Sequence, residues 1–168
     1  MIERHKSLIW ISVDLMAGLS RLQKVIHQFQ SLGEVTEVSS IYKKYLNQRS
    51  EDLNSELVLV AKVDTTKNLE DIFHFLHTTE NQQRLSSPSL NLILLTIDGM
   101  VRLFPGQNLP SPLLHTDALT LRCASEAWGD YIHPVLGQTL NQLVRSMQPL
   151  SHVEFFAQGR SLFISELE

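Results

Sequence analysis

Apolar residues along this chain switch between short continuous runs and helical spacing, which predicts strands and helices in turn. Residues 8–13 form a β-branched apolar run, the pattern of a buried strand. Leu19, Leu22, Val25, Ile26, Phe29 and Leu32 then recur at helical period and stop at Gly33. Residues 35–42 read as a strand and the polar residues 43–52 as a loop. In residues 57–63, Leu57, Leu59, Ala61 and Val63 share one strand face, with Val58, Val60 and Lys62 on the other. Asp64, Thr65 and Thr66 offer caps for a helix carrying Leu69, Ile72, Phe73 and Leu76, with polar residues 78–89 following it. Residues 90–97 form another buried run, Asp98-Gly99 a turn, 101–104 a short return strand and 105–112 a loop. Residues 113–128 read as helical, and 133–137 as a tight connector into a helix bearing Leu140, Leu143, Val144 and Met147. Residues 153–164, split by Gln158-Gly159, suggest a terminal hairpin. The order βαββαβ followed by helices predicts an α+β, ferredoxin-like antiparallel sheet with helices on one face. That domain spans 1–150, and a C-terminal hairpin-like extension, 151–168, packs on or beside it.

Composition narrows the class. With 168 residues, 43% hydrophobic and 19% charged, the chain can build one compact domain with a real core but not two comfortable domains. Its one cysteine, Cys123, cannot form an internal disulfide or a cysteine-based zinc site. No apolar run approaches the roughly 20 residues of a membrane span, and residues 7–15, broken by Ser12 and Asp14, are too short for a secretory signal. A cytoplasmic protein without a membrane partner is expected. The net charge of −4 argues against nucleic acid, whose phosphates need clustered cations. The basic residues are also uneven: between Asn68 and Val144 only Arg84, Arg102 and Arg122 occur.

Five segments, in serial order over roughly residues 7–145, resemble the 6-hydroxymethyl-7,8-dihydropterin pyrophosphokinases (HPPK) of folate biosynthesis. Residues 9–23 (Ile-Trp-Ile-Ser-Val-Asp-Leu-Met-Ala-Gly-Leu-Ser-Arg-Leu-Gln) are similar to that family's opening strand, turn and first helix. Residues 38–42 (Val-Ser-Ser-Ile-Tyr) and 52–60 (Asp-Leu-Asn-Ser-Glu-Leu-Val-Leu-Val) resemble its next two strands. Residues 88–95 (Pro-Ser-Leu-Asn-Leu-Ile-Leu-Leu) resemble its acidic strand, and 133–140 (His-Pro-Val-Leu-Gly-Gln-Thr-Leu) its last helix entry. The resemblance implies a ferredoxin-like fold and transfer of pyrophosphate from ATP to a reduced pterin's hydroxymethyl group, with two magnesium ions.

The positions that would carry this chemistry are altered. Magnesium takes hard oxygen ligands. The family supplies two aspartates two residues apart on one strand face, about 7 Å from each other. Here those positions read Asn91 and Ile93. The loop before that strand, residues 81–90, is short, with Arg84 as its single basic residue and no tryptophan. Where the resemblance implies a phosphate-binding histidine and arginine, the chain has Ser111 and Asp117, the latter a charge reversal. The family's opening Gly-Ser-Asn reads Ser12-Val13-Asp14. On the pterin side, the resemblance assigns Asn54 and Glu80 to the substrate, although the aromatic residue expected before Asn54 is Asp52. Asn54 reads equally as a strand-end cap.

Other clusters carry less. His74 and His77, three apart and near Glu70 and Glu80, make a weak metal face. His115 with Asp117 and Ser111 lacks the Gly-x-Ser-x-Gly elbow of a nucleophile. The expected function is therefore a catalytically silent, HPPK-like module that binds a pterin or a protein partner and uses no cofactor. The alternative is an active pyrophosphokinase that uses magnesium and ATP through replacement residues.

Overall fold

The computed structural model describes residues 2–46, 55–84 and 90–163. Among them the chain runs β1 (His5–Asp14), α1 (Gly18–Gln28), β2 (Glu34–Val38), β3 (Ile41–Tyr45), β4 (Ser55–Thr65) and α2 (Leu69–Arg84). It continues through β5 (Leu90–Ile97), α3 (Leu113–Thr116), α4 (Ala118–Trp128), α5 (Leu140–Arg145) and β6 (Val153–Ala157). The strands form one antiparallel sheet in the order β5-β1-β4-β3-β6, with β2 pairing the far half of β4. Counting β2 and β3 as one broken strand, this is the ferredoxin-like order, with β6 added outside it.

The break has a local cause. Ser39 donates its amide to the Val60 carbonyl at 2.9 Å, and its Oγ accepts from the Val60 amide at 2.9 Å. A side-chain oxygen thus stands in for a backbone carbonyl in the ladder, and the strand resumes at Ile41. The expected single strand over 35–42 is therefore two, and Lys43 to Tyr45, expected in a loop, belong to β3.

Alternation along β4 builds two cores. Leu57, Leu59, Ala61 and Val63 pack with Leu22, Val25 and Ile26 of α1 and Ile72 and Leu76 of α2. Val58 and Val60 pack on the other face with Leu114 of α3, Leu119 and Leu121 of α4, and Leu140 and Leu143 of α5. Helices therefore cover both sheet faces, not one. Residues 113–128 read as helical in the sequence, but a helical reading does not say which side of the sheet receives them.

Three boundaries also move. Asp64 and Thr65 remain in β4, and Asn68 starts α2 instead, its Oδ1 accepting from the Asp71 amide at 2.8 Å. The helix then runs through Arg84, because buried Thr79 prolongs the stripe begun by Ile72 and Leu76. The tail, expected as a hairpin, contributes one strand, β6 paired with β3, followed by a 3-10 turn at Gly159–Phe163 that packs against α1. Among the described residues, no helix is long and apolar enough to cross a membrane.

Candidate functional site

Among the described residues β5 is an edge strand, paired with β1 and with no strand on its other side, and a cleft of about 440 Å³ opens along that edge. Phe73, Leu76, His77 and Glu80 of α2 form one wall. Residues 92–94 form the floor, and Gly106, Gln107, Asn108, Ser111 and Pro112 the other wall. Four of the candidate site residues singled out in the sequence, His77, Glu80, Ile93 and Ser111, thus come together here.

Each has a structural engagement. The Glu80 carboxylate accepts a hydrogen bond from the Leu92 amide at 2.6 Å, satisfying a donor on the open edge of the sheet. Ser111 is buried; its amide donates to the Leu95 carbonyl at 2.7 Å, and its Oγ accepts from the Leu113 amide at 3.3 Å. Ile93 stands opposite Trp10 in the β1–β5 ladder, and Asn91 opposite Ser12. Trp10 and Ile93 pack together at the border of the α3–α5 core.

Asp117 does not face the cleft. It caps α4, accepting from the Thr120 amide at 3.0 Å and from the Thr120 hydroxyl. Asn54 and Asp52 lie outside the described residues. His77 is bonded to Asn81 at 3.0 Å. Among the described residues, no group of three or more His, Cys, Asp or Glu side chains converges as a metal site would require. In the Ser111, His115 and Asp117 set each side chain is engaged elsewhere: Ser111 with the Leu113 amide, Asp117 with Thr120, and His115 edge-on to the His133 ring, centroids 6.0 Å apart.

The electrostatics follow the same pattern. No lysine or arginine occurs among the described residues lining the cleft. Arg102 lies over the Phe104 ring at 4.6 Å, and Lys62 over Trp128 at 4.8 Å. Glu126 of α4, which no sequence motif marks, accepts from the Ser40 hydroxyl at 3.0 Å and the Tyr42 hydroxyl at 3.1 Å. Burial, reinforced by that carboxylate, pushes the Tyr42 phenol up to about 12. Burial dominates at Cys123, whose thiol is held well above its ordinary range and so is a poor nucleophile.

Neither a protein-family model nor a curated protein matches the sequence. The fold does match solved structures. Wild-type Plasmodium falciparum HPPK-DHPS with pterin and p-hydroxybenzoate aligns with a TM-score of 0.66 at 10% identity, covering 86% of this chain and 43% of that one. The same enzyme with pteroate gives 0.65 at 11%, covering 85% and 42%. With STZ-DHP it gives 0.67 at 9%, covering 85% and 43%. This chain thus spans less than half the length of the structures it matches. At such identities the likeness concerns architecture, and the chain has an HPPK-like fold.

Proposed function

We propose that this chain is an HPPK-like protein that binds a pterin without transferring pyrophosphate to it. The observation that carries this reading is the neutral pair on β5. Where the resemblance implies two metal-holding aspartates, the strand presents Asn91 and Ile93, opposite Ser12 and Trp10. An asparagine offers one uncharged oxygen and an isoleucine none, so this donor set does not fit magnesium.

Two further features agree. A triphosphate in the cleft would meet no lysine or arginine on its described walls, and Asp117 is committed to a helix cap. Phosphoryl chemistry depends on positioned positive charge, so these losses remove activity together. The cleft volume, about 440 Å³, suits a small heterocycle, and Glu80 on its wall supplies a carboxylate that can accept from a pterin's amino edge.

Calorimetric titration with 6-hydroxymethyl-7,8-dihydropterin, with and without magnesium-ATP, tests the reading alongside an assay for AMP. The expected result is pterin binding that magnesium-ATP leaves unchanged, with no AMP formed. Magnesium-dependent AMP release would overturn the silent assignment. Absence of any pterin heat would remove the ligand and leave a protein partner as the reading.

A further inference from the structure

The connector between α4 and α5 is built around one buried imidazole. His133 is 1% exposed. Its amide donates to the Gln138 carbonyl at 2.8 Å, and its carbonyl accepts from the Gly137 amide at 2.8 Å. The ring adds two bonds: Nδ1 accepts from the Val135 amide at 3.3 Å and from the Leu136 amide at 3.2 Å. A ring nitrogen that accepts from two N–H groups carries no hydrogen, so the neutral ring keeps its hydrogen on Nε2. Nε2 is itself buried and has no hydrogen-bond partner among the described residues.

A proton added to this ring must go to Nδ1. There it turns an acceptor into a donor facing two other donors, and it places a charge where water is excluded. No described group nearby offsets that charge. The side chain packed against the ring is His115 of α3, at 6.0 Å and 83°, a second base. Tyr131, on the same connector, bonds Thr96 and accepts from the Gly99 amide. Asp117 is held by the α4 cap. Burial and His115 both hold the imidazole below its ordinary value of 6.5.

The turn also displays apolar side chains to solvent: Ile132 is 60% exposed, Val135 65% and Leu136 44%. We propose that His133 is a proton-operated latch: neutral, it fixes the 133–138 turn and this apolar surface, and on taking a proton at Nδ1 it releases them. The only covalent change is uptake of one proton from solvent. The opening is local, because both bonds to the ring come from the turn itself.

The test is residue-resolved amide hydrogen exchange of the whole chain at about pH 7.5 and about pH 5, corrected for intrinsic rates. Val135 and Leu136 are expected to lose protection by up to about tenfold per pH unit between the ordinary imidazole value of 6.5 and the ring's lower folded midpoint, and to level off below it, as one-proton linkage requires. Amides of β1 and β4 keep theirs. Imidazole nitrogen shifts are expected to show an unprotonated Nδ1 at the higher pH and a titration with the same midpoint, below 6.5. His133→Asn keeps a short acceptor without the titration, and is expected to hold protection at both pH values. Unchanged protection of Val135 and Leu136 in acid would overturn the latch, as would equal loss in His133→Asn. If that variant does not fold, the wild-type comparison decides: separate midpoints for ring and amides sink the proposal.

Discussion

Glu80 reaches from α2 to the free edge of the sheet and accepts the Leu92 amide hydrogen at 2.6 Å. An edge strand offers unpaired backbone groups to any passing strand, and a carboxylate on one of them blocks that pairing. The same side chain borders the β5 cleft, so it serves the fold before it serves any ligand.

Glu80→Ala leaves the Leu92 amide unpaired in a partly buried place, and is expected to cost about 1–3 kcal/mol. Glu80→Gln retains a carbonyl acceptor and is expected to lose less than half of that. Urea unfolding of the two variants checks the order. Equal stability of Glu80→Ala and the parent chain would show that the carboxylate has no structural role.

The neutral pair on β5 permits a gain-of-function measurement. Asn91→Asp with Ile93→Asp places two carboxylates about 7 Å apart on one strand face. Their mutual repulsion, and the packing of a carboxylate instead of Ile93 against Trp10, are expected to lower the urea midpoint. Added magnesium should raise that midpoint again, because it binds the folded pair and not the unfolded chain. The parent chain is expected not to respond to magnesium in the same experiment.

Alkaline titration isolates Tyr42. Its phenol stays protonated in the folded chain up to about 12, against an ordinary 10.0, chiefly through burial and then through Glu126. The unfolded chain therefore gives up this proton first, and stability is expected to fall as pH rises from 10.0 towards about 12. The phenolate absorbance difference between the parent chain and Tyr42→Phe reports the midpoint. Glu126→Gln keeps an acceptor but removes the charge, and should move that midpoint down.

Gly159 carries the tail against the break between β2 and β3. A Cβ at this position would overlap the Ser39 carbonyl oxygen, a backbone atom that cannot swing aside. Gly159→Ala is therefore expected to destabilise by about 1–3 kcal/mol, as overpacking does. Hydrogen exchange at the Ser39 amide, bonded to Val60, should rise with it. An unchanged unfolding midpoint would show that the tail is dispensable to the sheet.

Much of the chain was legible in order. β1, β4 and β5 follow from apolar runs, because a strand buried on both faces must be apolar at nearly every position. The residue types behind the proposed loss of chemistry could be read too: Asn91 offers one neutral oxygen, Ile93 none, and Asp117 a negative charge, wherever they sit. Residue type alone limits what a group can ligate.

What each remaining group does depended on partners distant in sequence. Glu80 meets Leu92 only because α2 packs beside the edge of β5, and Glu126 meets Tyr42 only because α4 crosses the opposite face. The break at Ser39, the docking of β6 on β3, and the burial of His133 between its own turn and His115 are likewise contacts between elements. Hydrophobic period determines which residues turn inward, and so the elements and their order could be read from the chain. It does not record which helix lies on which sheet face, so the roles of the polar groups were decided by tertiary packing.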